Sequence, residues 1–183
     1  DSPAAAYALE RWGITVDQAA RLRLGFTGRS ITGEWVPYPW VTVERVVVPL
    51  LGFDGVPRGV QGRGLTEDRR RWCSLASPPD NAWAKLGVLA HDHGETYHQL
   101  GEGPGDALTA WATGTPAVFV RGTAMAAGVA NTVVAGLRDN VVILAGDADT
   151  AGQNFNITMG TALAEAGLDV RVLALPTDVG DVT

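Results

Sequence analysis

The 183-residue sequence predicts an α/β protein, with an α+β N-terminal subdomain over residues 1–95 and a parallel-sheet βαβ domain over residues 96–183. Two observations predict this fold class. The first half carries short helical patterns and a β-branched run that turns back at an Asp-Gly pair. The second half alternates apolar strand segments with helices of about 10–16 residues, a rhythm that is typical of right-handed βαβ units.

The chain opens with helical patterns that end near Gly25, where a glycine is a common C-terminal helix signal. Thr15, followed three residues later by Gln18, predicts a capping box that starts the second of two short helices. Residues 27–39 are rich in Gly, Ser, Thr and Pro, which predicts a loop.

A hairpin is predicted next. Residues 41–51 form a β-branched run, and residues 56–61 follow it after Asp54 and Gly55. An Asp-Gly pair between two such runs favours a tight turn, because both residues tolerate the left-handed backbone region that the turn needs.

The second half predicts four strands and three intervening helices. The strands are residues 97–100, 117–120, 140–145 and 169–175, and the helices are residues 105–113, 124–137 and 151–166. The third helix places Phe155, Met159, Ala162, Leu163 and Ala166 on one face. A glycine directly after residue 166 predicts its end.

Composition and charge exclude several classes of protein. No apolar run approaches the ~18 residues of a membrane span, and the N-terminus has no basic segment followed by an apolar one, so neither a membrane protein nor a secretory signal is expected. Cys73 is the only cysteine, which excludes an internal disulfide and a cysteine-rich zinc site and favours a reducing cytosol. The net charge of −6 argues against a polycationic nucleic-acid binder.

Acidic residues follow three of the four predicted strands. They are Glu102, Asp106, Asp147, Asp149, Asp178 and Asp181. Because parallel strands present their carboxyl ends at one sheet edge, these side chains are expected to gather there and to repel one another unless a cation neutralises them. Hard oxygen ligands favour Mg²⁺ or Mn²⁺. The alternative is helix capping, a common role of an acidic residue after a strand.

The acidic segments resemble the Toprim domain. Residues 102–108 (EGPGDAL) resemble its glutamate motif, and residues 147–152 (DADTAG) resemble its DxDxxG motif. Residues 180–183 are similar to a later G-x-D stretch, without the residue between glycine and aspartate. Toprim domains occur in topoisomerases, primases and some nucleases, so this resemblance implies a class of chemistry.

The first half resembles the RNA polymerase domain of DnaG-type bacterial and phage primases, patchily but in the same order. The similar segments are residues 7–14, 23–26, 45–50, 59–63, 71–74, 77–78 and 83–85. The resemblance implies a DNA primase catalytic core that makes RNA primers from ribonucleoside triphosphates on a single-stranded DNA template. It also implies a zinc-binding domain and a replicative helicase outside this chain, weak initiation by the core alone, and a location in the cytoplasm of a bacterium or a phage-infected host.

Primer synthesis joins a 3′-hydroxyl to an α-phosphate, and two metal ions held by carboxylates suit this chemistry. The resemblance implies that Asp147 and Asp149 are the principal ligands. Glu102 is expected to be a ligand or the group that assists removal of the hydroxyl proton. Asp106 and Asp181 are expected to act as supporting ligands or as acids that contact the ligands without binding the metal.

Three basic residues are candidates for contacts with triphosphate or template. Arg63 and Lys85 belong to the segments that resemble primases, and Lys85 is the only lysine in a chain that otherwise uses arginine. Arg71 ends a run of three arginines before Trp72, a patch that suits a single strand through charge and stacking. The alternative for Lys85 and for the arginine run is ordinary solvated surface.

The three histidines, His91, His93 and His98, lie within eight residues of one another. Their spacing matches no metal-site motif, so the interpretation favoured here is a solvated loop, with His98 on the following strand.

Two further functions remain open: a Toprim nuclease that uses the same acids, and a non-catalytic interaction module. A type IA topoisomerase is disfavoured, because its tyrosine nucleophile normally lies in another large domain.

Overall fold

The structure is a computed structural model that describes residues 2–27, 44–66, 71–74, 85–90 and 95–174. The chain divides into two compact units, Asp1–Ala84 and Lys85–Thr183. The division precedes residue 95, the boundary expected from the sequence, because strand Leu86–Leu89 pairs within the sheet of the second unit. No helix in the described part of the chain is long and apolar enough to cross a membrane.

The first unit begins with two helices, α1 (Pro3–Trp12) and α2 (Val16–Arg21). Ser2 caps the start of α1, and Gly13 ends it in the left-handed region with φ +70°. The predicted capping box is confirmed, since the Thr15 hydroxyl accepts a hydrogen bond from the Gln18 N–H at 3.3 Å and the Gln18 side chain accepts one from the Thr15 N–H at 2.8 Å.

An antiparallel sheet follows in the first unit. Its strands, in spatial order, are β1 (Gly25–Thr27), β2 (Arg45–Leu51), β3 (Pro57–Gly64) and β4 (Trp72–Ser74). β2 and β3 form the predicted hairpin, and Gly55 in the turn has φ +71°, a conformation that glycine adopts without strain. Across this turn, Arg58 Nη1 donates a hydrogen bond to Asp54 Oδ1 at 2.6 Å. Most of the predicted loop 27–39 lies outside the described residues.

The second unit contains a five-stranded sheet in the order β5-β7-β6-β8-β9. The strands are β5 (Leu86–Leu89), β6 (Tyr97–Gly101), β7 (Ala117–Val120), β8 (Val141–Ala145) and β9 (Asp169–Val172). The four predicted strands are confirmed and run parallel to one another, although β9 ends at Val172 and not at the predicted residue 175. β5 was not predicted; it lies antiparallel to β7 at one side of the sheet.

Helices connect these parallel strands. They are α3 (Pro104–Ala112), α4 (Ala126–Gly136), which a 3₁₀ turn at Thr123–Met125 precedes, and α5 (Thr150–Glu165). The predicted apolar face of α5 packs on the sheet through Phe155, Met159 and Leu163, which are all buried. Ala166 lies just beyond the helix and is exposed, and Gly167, with φ +86°, follows it.

Candidate functional site

The predicted acidic residues that the structure describes lie at the carboxyl edge of the second sheet. β6 and β8 are neighbours, with Gly101 opposite Ala145, so the residues that follow them leave the sheet side by side. Glu102 follows β6, and Asp147 and Asp149 lie in the loop between β8 and α5. The strand order therefore brings together residues that are 45 positions apart in the chain.

Glu102 and Asp147 are joined by a hydrogen bond. Glu102 Oε1 accepts it from the backbone N–H of Asp147 at 2.7 Å. Gly152 backs this contact, because a Cβ there would lie 2.5 Å from Glu102 Oε1 and 2.3 Å from the Asp147 backbone nitrogen. Real Cβ atoms do not come so close to other heavy atoms, so the arrangement requires glycine at this position.

The Glu102 carboxyl carries a raised pKa. Its partial burial raises the pKa, the hydrogen bond from the Asp147 N–H lowers it, and the negative charges of Asp147 and Asp149 raise it again. The net effect is a pKa above the ordinary glutamate value. A bound cation would stabilise the ionised form of this carboxyl, because its charge would offset those of Asp147 and Asp149.

Asp149 and Asp106 also form hydrogen bonds at the N-termini of helices, as the capping alternative predicted. Asp149 Oδ1 accepts a hydrogen bond from the Gly152 N–H at 2.8 Å and caps α5. Asp106 Oδ2 accepts one from the Gly103 N–H at 3.1 Å at the start of α3. Asp149 caps through one oxygen and keeps its charge, so its cap is compatible with a role as a ligand.

Asn156 is a site residue that the sequence analysis missed. Its Oδ1 accepts a hydrogen bond from the Gly146 N–H at 3.0 Å, which holds the start of the acidic loop against α5. The signal was present in the helical spacing, since Asn156 lies four residues after Gly152 and three before Met159, on the buried side of α5. A polar residue on that stripe needs a partner, and the loop backbone supplies it.

Lys85 lies at the same sheet edge as the acids. β5 runs antiparallel to β7, so the start of β5 meets the end of β7, and the Arg121 N–H donates a hydrogen bond to the Lys85 carbonyl at 2.8 Å. The Lys85 ammonium reaches α4, 3.4 Å from where a Cβ on Gly128 would stand. Gly122, the residue after Arg121, donates its N–H to the Glu102 carbonyl at 3.1 Å, which links the end of β7 to the residue after β6.

A cleft of about 260 Å³ adjoins the acidic loop, between the 3₁₀ turn and the first turns of α5. Three of its lining residues are apolar, and the other three carry hydroxyls or an amide. The lining residues are Thr123, Ala124, Ala151, Asn154, Phe155 and Thr158.

In the first unit, the structure gives Arg63 two partners. Arg63 Nε donates a hydrogen bond to the Tyr7 hydroxyl at 2.9 Å, and the guanidinium carbon lies 5.8 Å from the centre of the Trp72 ring. Arg71 is exposed just before β4, and its carbonyl accepts a hydrogen bond from the Gly64 N–H at 3.0 Å. The other two arginines of the run lie outside the described residues.

Comparison with known proteins identifies the fold. Residues 99–183 match the model of the Toprim-like family. No curated protein matches the sequence. The crystal structure of the Escherichia coli primase catalytic core matches the whole chain and 69% of its own length, with a TM-score of 0.72 and 22% identity. The chain has the fold of a primase catalytic core.

Two further structures share this primase-core fold. The zinc-binding and RNA polymerase domains of the Aquifex aeolicus primase match 96% of the chain, with a TM-score of 0.71 and 22% identity. The primase fragment of the bacteriophage T7 primase-helicase also matches 96% of it, with a TM-score of 0.70 and 20% identity. The chain spans half the length of the Aquifex protein and 66% of the T7 fragment.

The acids of this primase-core fold suit a divalent metal by their chemistry. Glu102, Asp147 and Asp149 offer hard carboxylate oxygens, and burial first, then the charges of the two aspartates, raise the pKa of Glu102. Among the described residues, no three His, Cys, Asp or Glu side chains already form a ligand group. Asp178 and Asp181 lie outside the part of the chain that the structure describes.

His98 is a structural residue of the sheet. It lies in β6 between the more exposed Tyr97 and Gln99, in agreement with the predicted strand alternation, and its side chain is buried. Burial lowers the pKa of His98, while the charge of Glu95 and the polar side chain of Asn140 raise it. His91 and His93 are outside the described residues.

Proposed function

We propose that this chain is the catalytic core of a DNA primase, which makes short RNA primers from ribonucleoside triphosphates on single-stranded DNA with Mg²⁺ or Mn²⁺. The observation that carries the proposal is the contact between Glu102 and the Asp147 loop, beside the N-terminus of α5, within a primase-core fold. We propose that the primase-type subdomain is the unit Asp1–Ala84 and the Toprim catalytic subdomain the unit Lys85–Thr183, in place of the boundary at residue 95 that the sequence predicted.

The reaction is the attack of a 3′-hydroxyl on an α-phosphate, with pyrophosphate as the leaving group. Asp147 and Asp149 are the proposed principal ligands, and Asp106 and Asp181 support them. A bound divalent metal would supply neutralisation of the charge on the phosphate oxygens. Asp149 holds its loop to α5 through its cap, which fixes the position of its carboxylate before any substrate arrives.

Glu102 is the proposed proton acceptor or a further ligand. Its raised pKa brings it closer to the working pH than that of an ordinary glutamate, and a general base works best there. One oxygen is occupied by the Asp147 N–H, so the side chain is fixed in direction while its other oxygen can accept a proton.

Lys85, Arg63 and Arg71 are the proposed phosphate contacts. Lys85 stands at the same sheet edge as the acids and presents a compact cation to a triphosphate. Polymerisation needs such cations for both template and nucleotide, which favours primer synthesis over hydrolysis. The cleft beside α5 combines apolar and polar lining groups, and we assign it to part of a bound nucleotide, such as its base.

The wider assembly is proposed from the matching structures. The Aquifex primase structure contains a zinc-binding domain, and the T7 fragment comes from a primase-helicase protein. We propose that this core works with a zinc-binding domain and a replicative helicase in the cytoplasm of a bacterium or a phage-infected host. A zinc-binding domain would hold template and first nucleotides in register, a positioning effect that can be large.

The test is incubation of the purified chain with single-stranded DNA, labelled ribonucleotides and Mg²⁺ or Mn²⁺. One reaction starts from ribonucleotides alone and the other from a preformed dinucleotide, because extension needs less positioning than initiation. The expected result is labelled RNA that lengthens with time, more readily from the dinucleotide. Degraded DNA without RNA synthesis would instead identify a nuclease, and neither product with either metal would leave an interaction module.

A further inference from the structure

Four residues of the first unit form a closed ring of side-chain contacts. Arg63 Nε donates to the Tyr7 hydroxyl at 2.9 Å, and its guanidinium lies 5.8 Å from the centre of the Trp72 ring. Trp72 stacks on Trp12 with ring centres 5.9 Å apart and planes 20° apart. Trp12 packs edge to face on Tyr7 with ring centres 5.5 Å apart, and this contact closes the ring of four residues.

The backbone places these residues before any ligand is present. Arg63 and Trp72 are direct partners on the antiparallel strands β3 and β4, so their side chains leave the same face of the sheet. Tyr7 and Trp12 both belong to α1, and Trp12 is buried with 4% of its surface exposed. The ring is therefore anchored in the core at Trp12 and reaches the half-buried guanidinium of Arg63.

The ring leaves one part of Arg63 available. The hydrogen bond to Tyr7 uses Nε, and no described residue bonds to Nη1 or Nη2. Nor does Arg63 have a carboxylate partner among the described residues. The two free groups lie in one plane with fixed spacing, which matches two oxygens of a phosphate.

We propose that Tyr7 and Trp72 are positioning residues that hold Arg63 as a preformed two-pronged phosphate clamp. This deepens the proposed function, on which it rests, by identifying what orients one of its phosphate contacts. Trp72 was expected to stack on template bases, but its ring is already engaged by Trp12 and Arg63. Its role in the clamp is to support the guanidinium, so binding should depend on phosphates and not on bases.

The experiment measures binding without catalysis. Affinities of the full chain for a fluorescent thymidine oligonucleotide, for a strand with abasic sites throughout, and for ATP are measured by anisotropy or competition across a salt series. Arg63→Ala should weaken the binding of the clamp's ligand and lower the slope of log affinity against log salt by about 0.7–1, the value for one lost phosphate contact. Tyr7→Phe removes only the acceptor oxygen and should weaken that binding about threefold to tenfold.

The double variant separates positioning from general stability. If Tyr7 acts through Arg63, Tyr7→Phe should have no further effect in the Arg63→Ala background. Tyr97→Phe, at an exposed tyrosine of the other unit, is the matched control and should bind as the parent does. Trp72→Leu should weaken the ordinary and abasic strands equally if the clamp holds a strand. If Trp72→Leu unfolds, Tyr7→Phe with and without Arg63→Ala still tests whether the clamp depends on a positioned guanidinium.

The outcomes are distinct. If Arg63→Ala and Tyr7→Phe lose affinity only for the oligonucleotides, the clamp binds a strand backbone. If they lose affinity only for ATP, it binds a triphosphate. Unchanged affinity for every ligand in Tyr7→Phe, or an equal loss with and without Arg63, overturns the clamp. A larger effect of Trp72→Leu on the ordinary strand than on the abasic one would restore base stacking and overturn it too. A chain that passes these tests but makes no primers would contradict the proposed function while the clamp stands.

Discussion

Glu102 Oε1 accepts a 2.7 Å hydrogen bond from the backbone N–H of Asp147, across two neighbouring parallel strands. The bond directs the Glu102 carboxylate to the backbone of the loop between β8 and α5, which carries the carboxylates of Asp147 and Asp149. Burial and the charges of Asp147 and Asp149 raise the pKa of Glu102, so the free energy of this edge depends on pH and on bound cations. Four predictions follow from the geometry of the second unit.

Asp147→Asn and Asp149→Asn should each reduce primer synthesis by more than ~100-fold, since even residues that only orient metal ligands contribute about 10–100-fold. Both substitutions keep side-chain volume, and asparagine caps a helix as well as aspartate does, so the fold should be retained. Asp149→Ala should in addition lower the free energy of unfolding by about 1 kcal/mol through the lost cap. Primer assays and thermal unfolding measure both effects; full activity in both asparagine variants would remove the ligand assignment.

Glu102→Gln should raise the free energy of unfolding near neutral pH in metal-free buffer. The folded protein holds the Glu102 proton more tightly than the unfolded chain, so the parent loses stability as pH rises through the raised pKa. Glutamine keeps an acceptor for the Asp147 N–H and carries no charge. The difference between the two proteins should disappear below the ordinary pKa of a glutamate. Denaturant unfolding across a pH series tests this, and a variant that is less stable at every pH would contradict it.

Lys85→Ala should reduce kcat/KM for nucleotides by about 10–150-fold, equivalent to the ~1.5–3 kcal/mol of a charged hydrogen bond. Lys85→Arg should rescue only part of this loss, because a planar fork does not replace a compact ammonium. Arg138→Ala removes an exposed cation from the same unit and serves as the control. Steady-state kinetics decide the matter. Equal kinetics in Lys85→Ala and Arg138→Ala would make Lys85 an ordinary surface lysine.

Gly152→Ala should destabilise the second unit by about 1–3 kcal/mol or more, because the new methyl would lie 2.2 Å from the Asp147 carbonyl oxygen and 2.5 Å from Glu102 Oε1. Gly128→Ala is the control. Its methyl meets its nearest neighbour at 3.4 Å, and within a helix the exchange should stabilise by about 0.5–1 kcal/mol. Thermal unfolding of both variants tests the pair, and equal stability would show that the acidic loop moves aside freely.

The local elements of this protein were predictable because their causes are local. The capping box of Thr15 and Gln18 lies within one helical turn, and the Asp54-Gly55 turn acts on the strands directly beside it. β5 escaped prediction because, unlike the equally short β7, it stands before the alternation of strands and helices begins, and its partner β7 lies beyond an intervening strand and helix.

The sequence by itself determined that acids follow strands, that the second half is a parallel βαβ domain, and that Asp147 and Asp149 precede a helix. The tertiary structure alone decided which of these groups meet. The order β5-β7-β6-β8-β9 brought Glu102 to Asp147 and Lys85 to the same edge, and α1 carried Tyr7 to Arg63 from 56 positions away. Periodicity and turn chemistry report on neighbours in the chain, whereas such contacts depend on which strands and helices pack together, and that is set by burial of the whole core.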